Sequence, residues 1–140
     1  MRAAADVAVG DQIPPTTVPV RRADLIAYAA ASGDHNVIHW NERIAVAVGL
    51  PNVIAHGMLT MAIAGRVATE WAGDAGSVVD YAVRFSRPVA VPDDDRGAQL
   101  TVAGRVESTD LAARTATVVL TVSVDEVGVL SGARIVLQLA

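Results

Sequence analysis

At 140 residues, with 52% hydrophobic residues and a net charge of −4, the chain is long enough to bury a core without disulfides or metals, and its length fits one domain over 1–140. Cysteine is absent, which excludes a thiol nucleophile, a disulfide framework and a cysteine metal site. All eleven basic residues are arginine, and the acidic balance argues against a general nucleic-acid binder, which neutralises phosphates with clustered Lys and Arg.

The start, MRAAADVAVGDQIPP, lacks the length and flanks of a secretory signal. The most apolar stretch, Ile54 to Ala72, contains His56, Arg66 and Glu70, so it reads as a buried helix rather than a membrane span. No membrane span and a cytoplasmic location are the expectations. An extended segment around Thr16 to Val20 comes first. A helix over Asp24 to Ala31 follows, with Leu25, Tyr28 and Ala29 at helical spacing and Ser32-Gly33 as its stop. A short helix is predicted near Asn41 to Val48, with Asn41 as N-cap and Gly49 as terminator.

Gly57 to Ala72 is apolar on nearly every face, since Met58, Leu59, Met61, Ile63 and Val67 are interleaved with small residues. Such a helix needs to be wrapped, and the second half of the chain supplies alternating strands: Tyr81 to Phe85, Leu100 to Glu107, Thr115 to Val124, and a last one through Ile135, Leu137 and Leu139. Short polar turns are expected near Asp93 to Gly97, Asp110 to Arg114 and Glu126 to Gly128. Four or five antiparallel strands beside one apolar helix make an α+β fold.

Polar residues crowd into Ser32-Gly33-Asp34-His35-Asn36-Val37-Ile38-His39, which reads as a shaped loop. In a curved loop Asp34 and His39 can meet at one water molecule, as water addition to a conjugated thioester requires, because one group takes a proton while another holds the same oxygen. At Ile54-Ala55-His56-Gly57-Met58 the chain enters the apolar helix, whose first N–H groups have no intrahelical partner. The Gly57 amide can there polarise a carbonyl oxygen that gains negative charge. Plainer readings stand beside these: Asp34 as a turn cap, His39 and His56 as half-buried histidines, Trp40 and Trp71 as packing residues, and Arg84 and Arg87 as solvated strand positions in preference to contacts with the phosphates of a coenzyme A or phosphopantetheine arm. His35 and His39 would need a helix between them and further ligands to hold zinc, and neither is evident, so no metal site is expected.

The run Tyr28 to His39, followed by Ala45 to Leu50 and Ile54-Ala55-His56-Gly57-Met58, resembles the signature of the MaoC-like family of (R)-specific enoyl-thioester hydratases. Within that family His39-Trp40, Val48-Gly49-Leu50, His56 to Met61, Val83-Arg84-Phe85 and Val91-Pro92 are similar to the catalytic B-type subunit of the mycobacterial (3R)-hydroxyacyl-ACP dehydratase of long-chain fatty-acid (mycolic-acid) elongation. The resemblance implies a single hot-dog fold, a curved antiparallel sheet wrapped around a long central helix. It implies Asp34 and His39 as catalytic dyad, Asn36 as the residue ordering the loop, the Gly57 amide as oxyanion donor, and His56 and Met58 beside substrate. The substrate is then an acyl chain carried on CoA or on the phosphopantetheine of ACP, with no further cofactor, and the subunit pairs as a homodimer or with a related hot-dog subunit. Where the family usually has proline after the loop asparagine, this chain has Val37; where some members carry a serine in the central helix, it has none near Gly65. Two other readings remain, a hot-dog thioesterase using Glu70, the one carboxylate on the central helix, and a non-catalytic acyl-binding subunit.

Overall fold

The computed structural model describes residues 1–140. Its backbone follows the hydrophobic periods. β1 (Gln12–Val20) leads into α1 (Arg22–Ser32), then a single 3-10 turn at Val37–His39 and the short α2 (Glu42–Ala47). α3 (Gly57–Ala72) precedes β2 (Val78–Phe85), β3 (Ala98–Asp110), β4 (Thr115–Val124), the two-residue β5 (Val127–Gly128) and β6 (Leu130–Gln138). The six strands form one antiparallel sheet in the order β1-β3-β4-β6-β2, with β5 appended to β4, and the sheet is not closed.

Alternation along β3 and β4 sends Leu100, Val102, Val106, Val118, Leu120 and Val122 to the inner face. α3 lies against that face and touches β1, β2, β3, β4 and β6. Ala64, Val67, Ala68 and Ala72 seal it there within a core cluster of 28 residues. This is the hot-dog arrangement, and α3 keeps the bounds its apolar run predicts, ended by Gly73 in the left-handed region at φ 76°. The wrapping is one-sided: Met58, Ala62 and Arg66 lie on an exposed row.

Three expectations are corrected. The segment near Asp93–Gly97 is not a hairpin turn, because β2 pairs with β6 while β3 pairs with β1 and β4, so the chain crosses the sheet between β2 and β3. β1 begins at Gln12 rather than near Thr16; its pairing slips between Ile13 and Thr16, where Pro14 and Pro15 cannot donate to the ladder. β6 starts at Leu130, earlier than its Ile135 to Leu139 alternation suggests.

The crossover ends at Gly97, whose φ of +71° and close approach exclude a side chain, since a Cβ would stand 2.4 Å from the Val20 carbonyl oxygen. Gly97→Ala is therefore expected to cost about 2–3 kcal/mol, combining backbone strain with displaced neighbours. Urea unfolding measures it, and a cost near zero would contradict this packing.

Candidate active site

The loop after α1 is built from its own polar side chains. Gly33 ends α1 at φ 78°, and the Asp34 N–H donates to Ser32 Oγ at 3.2 Å. The Asn36 N–H donates to Asp34 Oδ1 at 3.2 Å, and Asn36 Oδ1 accepts from the Ile38 N–H at 3.3 Å, capping the 3-10 turn that carries His39. Asn36 thus orders the loop through its amide oxygen, and Val37 opens the turn. Trp40 is 48% exposed, not a packing residue; its Nε1–H pins the His35 carbonyl at 3.1 Å.

His39 is buried, and its Nδ1 lies 2.7 Å from the Ile54 carbonyl oxygen. A carbonyl only accepts, so Nδ1 carries the proton of the neutral ring and Nε2 is left with its lone pair. That Nε2 stands 3.9 Å from Asp34 Oδ2. The gap is too long for a direct hydrogen bond and suits a small oxygen at about 2.8 Å from both groups. The carboxylate is half exposed and the imidazole is not, so they differ in hydration.

His56 is 1% exposed and does not cap its own helix. Its Nε2–H donates to the Asp34 carbonyl at 3.1 Å, and its ring stacks on His39 with centroids 3.8 Å apart and planes 26° apart. Burial, the largest influence, and the nearby His39 hold the His56 imidazole below its ordinary value of 6.5, against the Asp34 carbonyl bond and the Asp34 charge, which pull the other way. The unfolded chain therefore takes up this proton more readily than the folded one, so this contribution to stability is complete above about 6.5 and is lost as pH falls through the folded value. The melting temperature of His56→Gln should fall less on acidification than that of the unsubstituted chain; parallel curves would contradict the buried neutral ring.

Gly57 opens α3, and its N–H donates to no acceptor in the protein. A Cβ there would lie 3.0–3.3 Å from the Phe85 ring, so glycine permits that aromatic face to close on the helix end. His39, Gly57, Thr60, Phe85, Arg87 and Leu130 are among the residues lining a cavity of about 370 Å³ at this end. Asp34, Asn36 and His56 do not line it: Asp34 reaches the site through His39, and His56 lies beneath the dyad instead of beside the cavity. Met58 faces away, into a groove of about 480 Å³ with Tyr28, Met61, Gly65 and Tyr81. In that groove the Tyr81 hydroxyl donates to the Met61 carbonyl at 3.1 Å, and burial pushes its pKa up to about 12, which keeps it protonated and committed to that bond at neutral pH.

The ligand atoms of Asp34, His39 and His56 lie within 4.8 Å of one another. Imidazole lone pairs lie in the ring plane, so two stacked rings cannot both aim at one ion without swinging apart. The trio suits proton transfer better than metal binding. Glu70, in the last turn of α3, is exposed, pairs with Arg66 at 3.5 Å and lines neither cavity. Phe85 escapes sequence reasoning as a lining residue because only the sheet register brings it to this end of α3, and Thr60 because its place on α3, three residues after Gly57, carries no chemical signal. Arg87, expected as a solvated position, lines the cavity and donates to the Gly128 carbonyl at 3.1 Å.

A family model described as MaoC like domain matches residues 6–127. The chain belongs to the MaoC-like domain family. It is 41% identical over 83 residues to 3-hydroxyacyl-thioester dehydratase X of Mycobacterium tuberculosis, a match covering 58% of this chain and 29% of that protein. A solved MaoC-like dehydratase is 40% identical with a TM-score of 0.94, covering 99% of this chain and 42% of its own. The chain thus spans less than half the length of these two relatives. A chain of the ChsH1–ChsH2 complex from Mycobacterium tuberculosis shares the fold over 96% of this chain and 99% of its own, at 19% identity and a TM-score of 0.83. No helix is long and apolar enough to cross a membrane.

Proposed function

We propose that this chain is a hydro-lyase that interconverts a (3R)-hydroxyacyl thioester and the trans-2-enoyl thioester plus water, with Asp34 and His39 as its acid/base pair. One observation carries the reading: the Ile54 carbonyl fixes His39 so that the lone pair of Nε2 sits 3.9 Å from Asp34 Oδ2, beside the uncapped amino end of a helix.

In dehydration His39 Nε2 takes a proton from C2. The electron pair left behind moves onto the thioester oxygen, where the Gly57 N–H and the positive end of α3 hold it. Asp34 accepts a hydrogen bond from the C3 hydroxyl and steadies the charged imidazole. The same proton then passes to that hydroxyl, which leaves as water as the C2–C3 double bond forms. His39 returns neutral and atoms and charge balance without a further cofactor. Hydration runs the steps backward.

The acyl group arrives on CoA or on ACP phosphopantetheine, and the work lies in fatty-acid elongation of the mycolic-acid type, a reading that rests on the sequence resemblance to mycobacterial (3R)-hydroxyacyl-ACP dehydratases. The protein acts as a homodimer or with a related hot-dog subunit. The free edge of β2, where Val78, Val79 and Phe85 are 43%, 59% and 54% exposed, supports pairing, as does the assembly of the neighbouring fold in a two-protein complex. The cell interior is the expected location.

Incubating the purified chain with crotonyl-CoA is expected to remove the enoyl absorbance without releasing free thiol, and its solution mass is expected to exceed that of one chain. Thiol release at constant enoyl absorbance would replace this reading by a thioesterase, and acyl binding without turnover, alone or with partners, by a non-catalytic subunit.

A further inference from the structure

We propose that His56 is a positioning residue: its buried imidazole, stacked on His39 and bonded to the Asp34 main chain, sets the separation between the two members of the dyad. The inference rests on the Asp34–His39 reading above and assigns the third member of the cluster a task that its place in the sequence does not suggest.

His56 is the residue just before α3, where a side chain usually bonds the first free amides of its own helix. It makes no such bond. Its Nε2–H instead reaches back 22 residues to the Asp34 carbonyl at 3.1 Å. The loop's other bonds at Asp34, to Ser32 and Asn36, are local and exposed, so His56 joins the main chain of Asp34 to the helix that presents Gly57. The other faces of the ring are spoken for. His39 stacks on it at 3.8 Å and Tyr28 of α1 is tilted against it at 4.8 Å. Asp34, His39 and Tyr28 are the titratable groups that face it.

Packing alone does not account for a histidine here. Its Nδ1 is buried with no partner, a condition native interiors avoid, and an aliphatic side chain would fill the space without it. The unpaired nitrogen accompanies a donor placed on Asp34 and a flat surface placed under His39. His39 is thereby fixed from two directions, the Ile54 carbonyl in its plane and the His56 ring on its face. Both members of the dyad are held by residues just before α3, His39 by Ile54 and Asp34 by His56.

The test compares His56→Gln, His56→Asn and His39→Ala in the purified chain with crotonyl-CoA. Glutamine carries its amide nitrogen where Nε2 stands, while asparagine stops at the level of Nδ1 and leaves the Asp34 carbonyl without a donor. Misplacement of a reacting group by about 1 Å costs on the order of a hundredfold. The kcat of His56→Asn is therefore expected to fall about a hundredfold and that of His56→Gln to stay within about tenfold of the unsubstituted chain. KM should hold within about twofold in both, with equal folded fractions by thermal melting. Equal kcat in the two variants, a loss confined to KM, or a loss that follows the folded fraction would overturn the positioning role. An inactive His39→Ala beside a fully active His56→Asn would remove His56 alone; a fully active His39→Ala would remove the dyad and the positioning role together.

Discussion

His39→Ala is expected to lower kcat for hydration of a short enoyl-CoA by about a thousandfold, and Asp34→Asn by about a hundredfold, within the range that positioned acid/base groups supply. The asymmetry follows from surroundings. His39 is buried with one nitrogen committed to Ile54, so nothing replaces its Nε2 when it is cut away. Asp34 is half exposed, and an asparagine oxygen still accepts a hydrogen bond from the substrate hydroxyl. Because the two groups act on one proton and one oxygen, the double variant should be little slower than His39→Ala alone. Steady-state rates from the enoyl absorbance test both statements. Multiplying losses would mean that the two residues work in separate steps.

The second large effect is expected at Gly57. Proline is tolerated at the first position of a helix because it lacks only an N–H that has no partner there, so Gly57→Pro removes the proposed oxyanion donor while leaving α3 able to form. A lost donor of this kind costs about 10²–10³ in kcat. The ring also meets Phe85, which lies 3.0–3.3 Å from any Cβ at this position. Gly57→Ala is therefore the reference: it brings the same collision but keeps the amide. A Gly57→Pro kcat about a hundredfold below that of Gly57→Ala would assign the difference to the N–H, and equal rates in the two variants would deny the amide its role.

Much of this arrangement is legible in the chain because its strongest signals are local. An all-round apolar run fixes α3, and strict alternation fixes β3 and β4. The pairing of Asp34 with His39 is legible too, since both lie in one loop whose short polar side chains bond the neighbouring main chain and bend it. What escapes depends on residues far apart. Nothing local in β2 says that it pairs with β6, yet that placement brings Phe85 over Gly57. His56 reads as a substrate contact when only its neighbour Gly57 is considered; its real partners, Asp34 and His39, lie 22 and 17 positions earlier. Met58, next in sequence to Gly57, turns to a different face because successive helical residues diverge by about 100°. The bulge at Pro14 and Pro15 hides the start of β1 by interrupting its alternation.

The central claim is that His39 and Asp34 move the proton that accompanies water across the C2–C3 bond. Its most direct test is mass and chiral analysis of the product formed from crotonyl-CoA in deuterium oxide by the unsubstituted chain and by His39→Ala. The account predicts (R)-3-hydroxybutyryl-CoA carrying deuterium at C2 from the former and almost none from the latter. The same labelled product formed at the same rate by both would contradict it.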